Sequence, residues 1–167
     1  VGEERDGLDW DSALERAYRV AYGVLRDAER ARDVAQEACL KALARIDSFR
    51  GDGSFPSWVR RIALNLAIDE LRRPAAWDDS DALPGADDPH RAVALDEAAR
   101  RLIECLARLT PRQQDVFLSK YLDQSKTREV AAEMHTAEGT VSAALHAAAT
   151  NLRNCLTRGG IDRGWLQ

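Results

Sequence analysis

A chain of 167 residues is long enough for one ordinary domain or two small ones, and 45% apolar residues supply a real core. A net charge of −4 excludes capture of polyanions by bulk charge and leaves local patches as the route to nucleic acid. No apolar run approaches the roughly 18 residues of a membrane span, and no signal peptide is read, so neither membrane insertion nor export is expected.

Residues 1–11 are acidic and read as a frayed lead-in. Ser12–Asp27 is predicted as a helix, with Leu14, Ala17, Tyr18, Ala21, Tyr22 and Leu25 on one face. Asp27 can cap a second helix running to about Ile46. Ala31, Val34, Ala35, Ala38, Cys39, Ala42, Leu43 and Ile46 form its apolar side. Its opposite side offers Arg32, Asp33, Gln36, Glu37, Leu40 and Lys41. Phe49–Ser54, with Gly51 and Gly53, is a loop that serves either as a plain turn or as a backbone lying against a ligand.

Ser54–Arg73 is the most informative segment. Ser54 can cap it, and Pro56 is tolerated in its first turn. Apolar residues from Val59 to Leu71 cover most of its circumference, which leaves a narrow polar stripe of Arg61, Asn65, Asp69 and Arg72, with Trp58 near its start. Two cations, an amide, a carboxylate and an indole suit reading or melting nucleic acid; they equally suit a solvated face beside a packed Trp.

Pro74 stops that helix, and residues 74–89 hold five aspartates, three prolines and no cation. This is the expected linker between a domain at 1–73 and one at 90–167. Trp77 and Leu83 are its apolar points. His90–Leu109 is helical, with Leu102, Ile103, Leu106 and Ala107 among its core residues. Thr110 caps the next helix, with Pro111 at its first position. A short helix from Ser125 or Thr127, a turn at His135-Thr136 and a longer helix from about Ala137 to Leu156 fit a helix-turn-helix, or any small helical bundle. The fold class is therefore all-α, two small helical domains on a flexible acidic tether.

Enzymatic chemistry finds no support. His90, His135 and His146 are isolated, and no P-loop or dinucleotide fingerprint occurs. No metal and no cofactor is expected. Cys39, Cys105 and Cys155 are odd in number and fit neither zinc spacing nor a disulfide framework. They read as small core residues in a reducing cytoplasm.

Four strings in order, DAERARDVAQEACLKAL, FRGDGSFPSWVRRIALNLAIDELRR, LARLTPRQQDVFLSKYL and AEGTVSAALH, resemble the extracytoplasmic-function sigma factors, the smallest sigma subunits of bacterial RNA polymerase in the sigma-70 family. The resemblance covers about residues 12–73 and 98–156. It implies a region 2 that docks on core polymerase through Asp33, Gln36, Glu37 and Leu40. It implies a loop, Phe49, Arg50 and Gly51, that helps hold a base flipped from the −10 element of promoter DNA. Asn65 and Asp69 would face promoter bases, with Trp58, Arg61, Arg72 and Arg73 close by. A region 4 would read the −35 element through Lys126, Arg128, Thr140, Ser142, His146 and Arg153.

The resemblance further implies an anti-sigma factor as a partner. The chain departs from the family pattern after Val141, where Ala143, Ala144, Ala147 and Ala149 stand in place of the usual cations. Hence there are two expectations: a sigma factor with a weak −35 contact, or a sigma-like protein that does not initiate and occupies an anti-sigma factor or another regulator.

Overall fold

Two aspartates start the first two helices. Asp9 caps α1 (Trp10–Leu25), its carboxylate accepting from the Ser12 N–H; Asp27 caps α2 (Ala28–Ala44), accepting from the Glu29 and Arg30 N–H groups. Arg26 turns the chain between them in the left-handed region, φ 56°. A 3₁₀ turn at Ile46–Ser48 and a short loop lead to α3 (Phe55–Arg72). Gly51 and Gly53 have φ of 72° and 108°, a backbone that L side chains rarely adopt, so both are required by the turn itself. The computed structural model describes residues 7–51, 53–72 and 89–158. Arg73, the linker with Trp77 and Leu83, and the C-terminal Trp165 lie outside the described residues.

The first bundle packs α1, α2 and α3 through small residues. Ala13, Ala17 and Ala21 of α1 meet Ala31, Ala35, Ala38 and Ala42 of α2 and Ala63 and Ala67 of α3, all buried. Small side chains let helix axes approach closely, and Val20, Val59, Leu64 and Ile68 fill the remaining space. This shifts two expected faces. Leu14 and Tyr22 stay exposed on α1, and Leu43 on α2, because the alanines make the inter-helix contact and push the larger residues to its edges. The expected frayed lead-in is also shorter. Leu8 and Trp10 pack against this core, and Trp10 meets Phe55 edge-on at 4.7 Å.

The second bundle comprises α4 (Pro89–Ala107), α5 (Pro111–Tyr121), α6 (Thr127–Glu133) and α7 (Glu138–Arg158). Thr110 and Gln113 close a capping box on α5, with Pro111 in its first turn. His135, at φ 49°, makes the turn between α6 and α7, which form the expected helix-turn-helix. Three consecutive residues of α5 point about 100° apart and enter three different cores. Val116 joins Val130, Ala131 and Val141; Phe117 packs against the cluster that contains Cys105, Leu106 and Leu152; Leu118 reaches the core of the first bundle.

The cysteine expectation is corrected here. Cys105 of α4 and Cys155 of α7 form a disulfide, Cα–Cα 5.8 Å. Their 50-residue separation looks unrelated in sequence, but α4 and α7 lie side by side, which sets the two positions opposite each other. Cys39 is a free, half-buried thiol, as a small core residue would be.

Candidate nucleic-acid interface

α3 is held by its apolar sides against α1 and α2, so its polar stripe is fixed in direction. Asn65, Asp69 and Arg72 are exposed on it, and Arg72 lies 4.0 Å from Asp69. At the helix start, Trp58 contacts Phe49 (5.3 Å) and Phe55 (5.9 Å). Phe49 and Trp58 are thus partly buried members of one aromatic cluster, with Arg50 and Gly51 exposed beside them. On α2, Asp33, Gln36, Glu37 and Leu40 are all exposed, Leu40 at 68%, an apolar anchor inside a polar rim.

In the second bundle Lys126 and Arg128 are exposed at the start of α6. Thr140, Ser142, His146 and Arg153 are exposed along α7, with Ala143 among them. Among the described residues no group of three His, Cys, Asp or Glu is arranged to hold a metal ion. No helix among them is long and apolar enough to cross a membrane.

The structure parts Arg61 from the rest of its stripe. Its guanidinium is bonded to the Asp115 carboxylate of α5, and this contact belongs to a network joining the two bundles. Arg60 is completely buried; it donates to Asp123, to the Asp115 carbonyl at 3.1 Å and to the Ser119 hydroxyl at 3.1 Å. Arg19 donates to Asp123 at 2.8 Å, and Arg16 makes a two-pronged contact with Glu133. Ser54, the expected cap, does receive the Ser57 N–H, and its hydroxyl donates to Glu133.

Sequence reasoning missed Arg16, Arg19, Arg60, Asp115, Asp123 and Glu133. One signal was present. Arg60 shares a helix face with Ala63, Leu64 and Ala67, so helical period alone puts a cation on the buried side.

Burial pushes the Asp115 carboxyl up to about 6, against the pull of Arg61 and Arg60 and with help from Glu133. Burial acts on Glu133 in the same sense, but bonds from Arg16 and Ser54 win and hold it below the usual carboxylate range. The stabilisation linked to Asp115 is therefore complete below its unfolded value of 3.8 and is lost as pH rises through about 6. That of Glu133 is lost only as pH falls through its lowered value. Between pH 7 and pH 5 the Asp115 effect dominates and favours the folded chain, at the lower pH, by roughly 1 kcal/mol. Thermal melts across this window should rise toward pH 5 in the native chain and flatten in Asp115→Asn; an unchanged slope in the variant would remove Asp115 as the cause.

Two family models match the chain. Sigma-70 region 2 matches residues 10–77, and Sigma-70, region 4, matches residues 99–152. The chain is 32% identical to the ECF RNA polymerase sigma factor SigL of Mycobacterium tuberculosis, over 87% of this chain and 85% of that protein. It is 28% identical to the ECF sigma factor SigW of Bacillus subtilis, over 87% and 86% of the two chains. The sigma factor RpoE of Bartonella quintana, solved in complex with the anti-sigma factor NepR, is 21% identical, with a TM-score of 0.42 and coverage of 87% of this chain and 92% of that one.

Proposed function

The chain belongs to the extracytoplasmic-function group of the sigma-70 family, whose members direct RNA polymerase to promoters and are not enzymes, and from that premise we propose that it reads a −10 element with α3 and a −35 element with α7. The observation that carries this reading is the exposed Asn65–Asp69–Arg72 stripe on a helix otherwise packed into a bundle. Fixed polar groups at helical spacing are what base readout requires. Phe49, Arg50, Gly51 and Trp58 border the same end, where a flipped base needs an aromatic surface to return its unstacking cost. Asp33, Gln36, Glu37 and Leu40 dock core polymerase. Residues 1–73 and 90–167 act as the two modules, with 74–89 as the tether, in the cytoplasm.

Run-off transcription with purified core polymerase tests this reading. Asn65→Ala and Asp69→Ala are each expected to lower specific initiation by about tenfold, the loss of one base contact of 1–3 kcal/mol. Absence of core binding at low salt would reject it.

An anti-sigma factor is the further partner we propose. Leu40 and Leu43 on α2 and Tyr121 on α5 are exposed apolar side chains for such a clamp. Co-purification followed by mass spectrometry would identify it, and recovery of polymerase alone in every growth condition would count against it.

The alanine-faced α7 favours the second reading, a non-initiating protein that occupies a regulator. In that case Asn65→Ala leaves regulator binding intact and no promoter is opened.

A further inference from the structure

We propose that Trp10, at the start of α1, is a positioning residue for promoter melting: its indole holds Phe55, and through Phe55 it holds the Phe49 and Trp58 rings against which a flipped −10 base stacks. The proposal rests on the promoter-reading function above and adds to it a residue from a helix which that reading does not use. Trp10 acts at one remove, without contact to DNA.

Four rings meet at the start of α3, and Phe55 is their hub. Trp10 stands edge-on to it at 4.7 Å and 73°, Phe49 edge-on at 5.6 Å and 77°, and Trp58 tilted at 5.9 Å. Phe49 and Trp58 also meet each other at 5.3 Å. Phe55 is buried, whereas Trp10, Phe49 and Trp58 are each partly buried. Phe49 and Trp58 thus keep surface that a base can reach, and Phe55 keeps almost none. An edge-to-face contact fixes the direction of a ring as well as its distance, because the positive edge of one ring meets the negative face of the other.

Phe55 depends on that support. It is the first residue of α3, and the N–H groups of a first helical turn have no partner within the helix. The loop ahead of it adds little. Among the described residues from Phe49 to Gly53 the backbone bonds are local: the Phe49 N–H donates to the Ile46 carbonyl at 3.0 Å, and the Gly53 N–H to the Gly51 carbonyl at 2.9 Å. Ring contacts therefore set where Phe49 points. Trp10 has a firmer base. Asp9 caps α1 beneath it, and Ala13 and Ala17, further along the same helix, are fully buried in the core shared with α2 and α3.

Removing the indole opens a space beside Phe55 into which that ring can turn, and Phe49 and Trp58 shift with it. Stacking of one base on an aromatic side chain corresponds to a factor of about 5–150 in a melting equilibrium. A displaced platform forfeits part of that factor. Docking on polymerase and recognition of the closed duplex use other surfaces and are retained.

The test uses holoenzyme assembled from core polymerase and the full chain, on a promoter active in run-off transcription. Melting is read from the reactivity of −10 thymines toward permanganate, which attacks them once they are unstacked. Trp10→Ala and Trp10→Leu are expected to cut that reactivity about tenfold while affinity for core polymerase and for the closed promoter stays within about twofold. Trp10→Leu fills the space with apolar atoms but has no ring edge, so the result does not hang on the folding of Trp10→Ala. Trp10→Phe keeps a ring edge and should restore most of the reactivity.

Val20→Ala is the control for lost stability, being buried in the same core but ten residues along α1, about 15 Å from Trp10. Its melting point should drop and its permanganate signal should not. Full reactivity in Trp10→Ala and Trp10→Leu overturns the positioning role. So does a Trp10→Phe no better than Trp10→Leu, or a Val20→Ala that loses signal as they do at the same loss in melting point. If the native chain docks on polymerase yet opens no −10 element and drives no run-off transcription, the −10 reading itself falls, and the role of Trp10 with it.

Discussion

Reducing the Cys105–Cys155 bridge is expected to cost the second bundle about 2–4 kcal/mol and to lower its melting midpoint by roughly 10 °C or more. The bridge spans 50 residues and therefore encloses α5 and α6 completely. Without it the unfolded segment regains the freedom that closure removes, and this gain grows with loop length. The second bundle also has little else to spare. Its own cores are two small clusters, one around Cys105, Leu106, Leu109, Ala148, Leu152 and Leu156 and one around Val116, Val130, Ala131 and Val141. A domain of this size has a thin margin. Differential melts with and without dithiothreitol give the measurement, and Cys155→Ser should melt with the reduced native chain. Cys39→Ser should leave the dithiothreitol effect intact, since Cys39 belongs to the other bundle. A Cys155→Ser protein melting within about 2 °C of the oxidised chain would show that the bridge carries little of the stability.

The second large effect concerns salt. Between residues 126 and 153 only Lys126, Arg128 and Arg153 are cationic, and all three are exposed. Affinity for duplex DNA scales with the phosphates neutralised, at a log–log slope of about −0.9 per contact. Three contacts give a slope near −2.7, so raising salt from 50 to 200 mM should weaken duplex binding by about 40-fold, against 10³–10⁵ for a reader making 6–10 contacts. The absolute affinity at 50 mM should be weak for the same reason. Methyl groups of Ala143 and Ala147 can meet thymine methyls, but such contacts discriminate between sequences without supplying long-range attraction. Fluorescence anisotropy of the full-length protein on a duplex carrying a −35 site checks both numbers. A slope of −6 or steeper would mean that cations outside this segment reach the backbone.

The features that repeat locally were legible in the sequence. The Asp27 cap, the Thr110–Pro111 start of α5, the His135-Thr136 turn and the apolar sides of α3 all follow from chemistry within a few residues. The exposed Asn65–Asp69 stripe followed from the same period. What failed depended on contacts across the chain. The Cys105–Cys155 pairing required knowing that α4 and α7 are neighbours. The network of Arg16, Arg19, Arg60, Asp115, Asp123 and Glu133 joins residues up to 117 apart, and no local pattern marks which surface carboxylates a buried arginine will find. Leu14 and Tyr22 were misplaced because an alanine seam carried the helix contact and large apolar residues were assumed to do so.

The geometry of α5 bears on how this chain can vary. Val116, Phe117 and Leu118 each feed a different core. One residue inserted or deleted within α5 ahead of them turns every side chain by about 100° and delivers each to its neighbour's pocket. Substitutions can be absorbed there one core at a time, whereas a change of length strikes three at once. Length variation among descendants of this chain should therefore fall in the connections flanking the helix, at residues 108–110 and 122–126, and α5 itself should keep its register while its surface drifts.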